Sequence, residues 1–293
     1  MHELSRDGLE LLDPSSGERM LRVSAASGTT LARGQQSALY TILLMERGEG
    51  TCHVDAGRYA LTAPAVLFAT PFQVVRVDVP KKLRATQIQF HGDFYCIELH
   101  KEEVACNGLL FNNCYEAPLI APAPADHAEL ARISFDLQRE LAAVSPSSAV
   151  LTAYLQLFLA RASQIKRQRL ADRLLGPPRD AVMDRFRALI AQHARDNLKP
   201  KDYAARLNLT GGAFTRRCKR VYGKTPSALI QEQTILEAKK LLHLTRAPIK
   251  EIASTLGFAD EHYFSRYFKK LTRVSPKHFR ERTGISVVAD QSR

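Results

Sequence analysis

The chain has no tryptophan, only five cysteines and no long apolar run. No stretch approaches the roughly 18 apolar residues a membrane-spanning helix needs. The opening MHELSRDGLELLDPSSGERM lacks the basic-then-apolar order of a signal peptide. A cytoplasmic protein without membrane association is therefore expected. Cys52, Cys96, Cys106, Cys114 and Cys218 are odd in number and show no C-x-x-C spacing, which gives neither a disulfide framework nor a zinc ribbon and leaves free thiols as the expectation. The last 111 residues are short of acid. Residues 1–182 hold 19 Lys and Arg against 20 Asp and Glu, whereas residues 183–293 hold 23 against 10, so the positive excess behind the formal charge of +12 lies in the second part. That asymmetry predicts a neutral domain joined to a basic one, and an acidic partner for the latter.

Between residues 38 and 100 the chain runs in short apolar segments broken by turn residues: ALYTILLME, TCHVDAGRYALT, APAVLFATP, FQVVRVDVP, LRATQIQFHG. Such runs are too short for helices and read as strands of a β-sandwich or small barrel. The period then changes. Leu130, Ile133, Leu137 and Leu141 recur at helical spacing, as do Leu151, Leu155, Phe158 and Ala162, predicting two helices separated by AVSPSS. Gly176, Pro177 and Pro178 end the second helix and mark a linker. The expected organisation is α+β: residues 1–175 with strands over about 31–120 and helices over about 126–171, a linker at 176–182, an all-α domain at 183–285 and a tail at 286–293. ISVVAD, from Ile285, is the one later strand candidate.

The basic part contains a repeat. GGAFTRRCKRVYGKTPSAL from Gly211 aligns with EHYFSRYFKKLTRVSPKHF from Glu261, pairing Phe214 with Phe264, Arg216 with Arg266, Lys219 with Lys269 and Pro226 with Pro276. Two copies of one supersecondary unit account for this. In the second copy Phe264, Phe268 and Leu271 share a face, matched by Phe214, Cys218 and Val221 in the first, and both triplets are expected to be buried. The opposite stripes are His262, Arg266 and Lys269, and Gly212, Arg216 and Lys219. Each long helix follows a shorter one, KDYAARL or IKEIASTL, across a tight turn, the helix-turn-helix arrangement. Thr225-Pro226 and Ser275-Pro276 supply an N-cap and a first-turn proline for the helix after each unit. A basic stripe alone is often only a solvated face; the duplication, the turns and the charge excess coincide here and point to nucleic acid.

With FTRRCKR and GFADEHYFSRYFKKLTRVSPKHFR as its most specific parts, residues 183–284 resemble the AraC/XylS family of bacterial transcription regulators. The resemblance implies two helix-turn-helix units bridged by the helix SALIQEQTILEAKKLL, reading successive major-groove segments of promoter DNA. By position, the family's base readers fall on Gly212, Thr215 and Arg216 and on Glu261, His262 and Arg266, the two arginines being suited to the paired guanine acceptors. Lys219, Lys269 and Lys270 are the expected phosphate contacts. The first copy departs from the pattern at Gly211-Gly212 and at Cys218, for which a small buried core residue is expected. The strand-rich part is similar to the family's cupin-like barrel, implying effector sensing, homodimers, RNA polymerase as a partner and no cofactor. His53-Val54-Asp55 and Val75 stand where cupin enzymes place metal-binding histidines, which argues against a catalytic metal and against an enzyme. A cupin-type oxygenase and a nonspecific nucleic-acid binder are the alternatives.

Residues 89–115 hold His91, Cys96, His100, Cys106 and Cys114. Three readings stand: core thiols with surface histidines, a thiol redox switch, or a metal sensor. Failing the last two, a small organic effector in the barrel is expected, with Tyr40, Phe68 and Phe90 as lining candidates that would equally fill a solid core. The apolar stripe of the helix from Ala149 to Arg169 is a candidate dimer contact, or packs on the protein's own barrel.

Overall fold

The computed structural model describes residues 8–55, 57–79, 83–95, 109–111, 115–174 and 180–284. The chain divides into two compact units, Met1–Asn113 with Ala117–Asp172, and Cys114–Glu116 with Arg173–Arg293.

The first unit holds two antiparallel sheets. One has six strands in the order β1 (Leu9–Leu12), β2 (Arg19–Ala26), β9 (Arg84–Phe90), β4 (Tyr40–Arg47), β7 (Ala65–Ala69), β10 (Leu119–Ile120). The other has four: β3 (Gln35–Gln36), β8 (Val74–Asp78), β5 (Glu49–Val54), β6 (Gly57–Thr62). Among the described residues neither sheet closes on itself, so two facing open sheets stand where a barrel was expected. A short helix α1 (Gly28–Ala32) joins β2 to β3, and helices α2 (Pro124–Leu141) and α3 (Ser148–Leu174) follow the sheets.

The period-2 rule of strands assigns the layers. In β4, β7 and β9 the even-numbered Ile42, Leu44, Val66, Phe68, Ile88 and Phe90 join a core with α2 and α3. The odd-numbered Leu43, Met45, Leu67, Ala69 and Ala85 join the second core, with Cys52, Val54, Leu61, Val75 and Val77 of the smaller sheet. Because β4 is covered on both faces, it reads as an uninterrupted apolar run. Leu130, Ile133, Leu137 and Leu141 of α2 are buried, as are Leu151, Leu155, Phe158 and Ala162 of α3. The apolar stripe of α3 thus packs into its own unit's core, while Val150 and Leu157, at its flank, are exposed.

The second unit is built of helices α4 (Ala181–Gln192), α5 (Pro200–Arg206), α6 (Gly211–Tyr222), α7 (Pro226–Leu244), α8 (Ile249–Thr255), α9 (Glu261–Thr272) and α10 (Pro276–Thr283). Side-chain oxygens cap most of them: Asp180, Thr210, Thr225, Asp260 and Ser275 each accept from an amide of the first turn, and Pro226 and Pro276 begin the helices after their caps. Around α6 the core is Met183, Phe186, Ile190, Tyr203, Ala204, Leu207, Phe214, Cys218 and Leu229, with Phe186 edge-on to Phe214 at 4.7 Å. Around α9 it is Ile252, Ala253, Leu256, Phe258, Phe264, Phe268 and Phe279. ISVVAD lies outside the described residues.

Candidate nucleic-acid interface

The two units share one backbone plan with exchanged residues. In each, the amide two residues past the short helix's C-cap returns to that helix's last turn: Leu209 N–H donates to Ala204 O at 2.9 Å, and Phe258 N–H to Ala253 O at 2.9 Å. The residue just before that donor is left-handed, Asn208 at φ 53° and Gly257 at φ 75°. Each long helix also closes on a left-handed residue, Gly223 or Arg273, both at φ 69°. The connection runs over four residues (207–210) in the first unit and five (256–260) in the second.

These turns aim the long helices so that Phe214 and Cys218, and Phe264 and Phe268, lie in the cores. Leu271 is half-buried and Val221 is 42% exposed. The expected buried triplets therefore end one position early, because the last turn of α6 runs past the packed surface. Opposite them, Gly212, Arg216 and Lys219 on α6, and His262, Arg266, Lys269 and Lys270 on α9, are exposed. Among the described residues, Arg216, Lys219, Arg266, Lys269 and Lys270 enter no ion pair. Glu261 and Thr215 are half-buried, and the Thr215 hydroxyl donates to Gly211 O at 2.9 Å. Asp260 accepts from the amides of Tyr263 (2.8 Å) and His262 (3.2 Å); these bonds hold its carboxyl below the usual range and keep a fixed negative charge at the start of α9. Burial pushes the Cys218 thiol up to about 12, and its sulfur lies 3.8 Å from Met183 Sδ.

Other cations of α6 are engaged. Arg217 Nε donates to Asp180 Oδ2 at 2.6 Å and an Arg220 terminal nitrogen to the same oxygen at 3.2 Å. Periodicity gave no sign of this contact, since Asp180 lies 37 and 40 residues upstream.

Of the sensor candidates, Cys96, His100, Cys106 and Cys114 lie outside the described residues. His91 is 3% exposed, with Nδ1 accepting from the Asp93 amide at 3.2 Å, so it is not the surface histidine expected. Tyr40, Phe68 and Phe90 sit on the helix side of the large sheet, where Tyr40 stacks on Phe90 at 5.2 Å and Phe111 meets all three edge-on. They fill a core. Between the sheets, in contrast, a small cavity of about 10 Å³, room for about one water molecule, is lined by Gln35, Thr41, Thr70, Gln73, Gln87 and Gln89 among others. Gln87 and Gln89 are 8% and 7% exposed, and their amide nitrogens make long contacts, 3.4 Å to Gln35 Oε1 and 3.3 Å to Thr41 Oγ1. The alternation of RATQIQF places both on the inner face with Ala85.

A helix-turn-helix domain family matches residues 203–282, from within α5 to within α10. The arabinose operon regulatory protein of Escherichia coli is 32% identical over 117 residues, 40% of either chain. The MmsAB operon regulatory protein of Pseudomonas aeruginosa is 30% identical over 129 residues, 43% of this chain and 42% of that one. The chain thus spans about two fifths of the length of these curated relatives. The C-terminal domain of AraT, a response regulator from Geobacillus stearothermophilus, is 33% identical across 36% of this chain and 88% of its own, at a TM-score of 0.34. The capped, duplicated helix pairs and the matched residues together make the C-terminal unit a helix-turn-helix domain of the AraC/XylS family.

Proposed function

We propose that this protein is a sequence-specific transcription regulator, an activator, whose α6 and α9 enter successive major-groove segments of promoter DNA. The carrying observation is the pair of exposed stripes at equivalent places of the two helix-turn-helix pairs, with Arg216 and Lys219 on one and Arg266 and Lys269 on the other in no ion pair among the described residues. Arg216 and Arg266, with Thr215, Glu261 and His262, read bases; Lys219, Lys269 and Lys270 meet phosphates. The protein acts in the cytoplasm as a homodimer through exposed Val150 and Leu157 of α3 and Phe135 of α2, engages RNA polymerase, and works by binding and not by catalysis.

The first unit, a cupin-like pair of sheets, senses the signal. Its small cavity carries neutral hydrogen-bonding groups and no charged side chain; with room for about one water, it would take a small uncharged ligand with hydroxyl or amide groups only as the sheets part. A charged ligand would bury its charge unpaired. Effector binding changes how both DNA-reading helices engage together. The test is competition between upstream genomic fragments and random duplex at fixed salt, with a specificity ratio of order 10³ expected; equal binding to every fragment, with and without a panel of neutral ligands, would sink the reading.

A further inference from the structure

The long helices carry different cations. α6 has Arg216, Arg217, Lys219 and Arg220 within five residues; Arg216 and Lys219 are unpaired, whereas Arg217 and Arg220 both donate to Asp180 Oδ2, at 2.6 and 3.2 Å. The Asp180 side chain is 12% exposed, and its other oxygen caps α4 by accepting from Met183 N–H at 3.3 Å. Fifty residues on, the counterparts of Arg217 and Arg220 are Tyr267 and Lys270, and where Asp180 caps α4, the helix before the first pair, Thr225 caps α7, the helix before the second. The second unit thus has no such carboxylate. It holds α9 with aromatic contacts instead, Phe258 lying 5.2 Å from Tyr267 and 5.3 Å from Phe264. In the first unit Leu209 stands at the place of Phe258, so the contact that Tyr267 makes is replaced by an ion pair. The first unit has more need of an anchor, because α6 opens on Gly211-Gly212, which stabilise a helix poorly.

We infer that Asp180 is a positioning residue for DNA reading: by gripping Arg217 and Arg220 it fixes the rotation of α6, keeping Arg216 and Lys219 outward, and withholds two guanidinium groups from DNA phosphates. Arg220, four residues after Arg216, flanks the same exposed face, and once released it would meet backbone phosphate in any sequence. Asp180 therefore favours reading over nonspecific adhesion. Burial works to raise its pKa, and the Arg217 and Met183 hydrogen bonds outweigh this and keep it ionised.

This inference rests on the DNA-reading assignment, and the experiment separates the two. The full-length protein and Asp180→Asn, which retains N-cap capacity while removing the charge, are titrated with a bound upstream fragment and with random duplex across a salt series. For Asp180→Asn the expectation is severalfold tighter binding to random DNA, a log K against log salt slope steeper by about 1 to 2 for the released cations, and a specificity ratio at least tenfold lower. Arg217→Gln removes the shorter of the two bonds to Asp180 and leaves Arg220 paired, so no cation is freed; it should lower the ratio without steepening the slope. An unchanged ratio and slope in Asp180→Asn overturn the inference, as does a parallel loss of both affinities in the folded variant. Should Asp180→Asn fail to fold, an unchanged ratio in Arg217→Gln overturns it. A wild-type protein that prefers no fragment defeats the DNA-reading assignment instead.

Discussion

Arg266 has no ion pair to give up and stands on the wet side of a helix anchored by Phe264 and Phe268, so its guanidinium is available to two guanine acceptors at once. Arg266→Ala should weaken fragment binding by about 1–3 kcal/mol and relax sequence choice at one position, while Lys269→Ala should weaken all sequences alike and reduce the salt slope by about 1; titrations on fragment and random duplex distinguish them. Backbone conformation sets other residues. Gly257 has φ +75°, and a Cβ there would lie 2.6 Å from Arg195 O, so Gly257→Ala should cost roughly 1–3 kcal/mol by chemical denaturation. Arg273 holds the same left-handed conformation that Gly223 holds in the first unit, and Arg273→Gly should gain roughly 1 kcal/mol. Asp260 has a depressed carboxyl pKa because of the Tyr263 and His262 amides. A depressed carboxyl contributes stability that is present above its unfolded value, near 4, and lost as pH falls through the folded value. Denaturation midpoints of Asp260→Asn, set beside wild type, should therefore show a smaller loss on going from neutral pH to pH 3.

At the scale of elements, the strands and helices follow from burial period. Alternation in β4, β7 and β9 sends odd and even residues to different cores, and the three-and-four spacing of α2, α3, α6 and α9 marks the faces that become buried. This is why the strands between residues 40 and 90, the two helices after the sheets, both helix-turn-helix pairs and the Thr225 and Ser275 caps were legible in the chain, whereas β1, β2 and α1 were not. The last turn of α6 was not, since whether Val221 is covered depends on which neighbour reaches that far. α6 is also the weaker of the two long helices at its start, and a Cβ on Gly211 would meet nothing within 4 Å. Gly211→Ala should raise stability by about 0.5–1 kcal/mol, read by denaturation, with no loss of DNA affinity, because the added methyl lies one residue before the stripe of Gly212, Arg216 and Lys219.

At the scale of the molecule, the two units have separate cores: Leu155 lies in that of the first, and Phe264 is fully buried in the second. Scanning calorimetry should resolve two transitions; Leu155→Ala should lower one by about 2–5 kcal/mol and Phe264→Ala the other by about 3–5 kcal/mol. No helix among the described residues is long and apolar enough to cross a membrane, and burial pushes the Cys52 and Cys218 thiols up to about 12, so neither is a reactive thiolate at neutral pH. The chain by itself determined the charge asymmetry, the repeat and the side of each long helix that faces water, because these depend on composition and on periods that local geometry imposes. Only the tertiary structure decided that the large sheet stays open, that Tyr40, Phe68 and Phe90 fill a core while Gln87 and Gln89 line the cavity, and that Asp180 takes Arg217 and Arg220 out of the basic stripe. Those outcomes join residues tens of positions apart, and no local period encodes which distant partner a side chain meets.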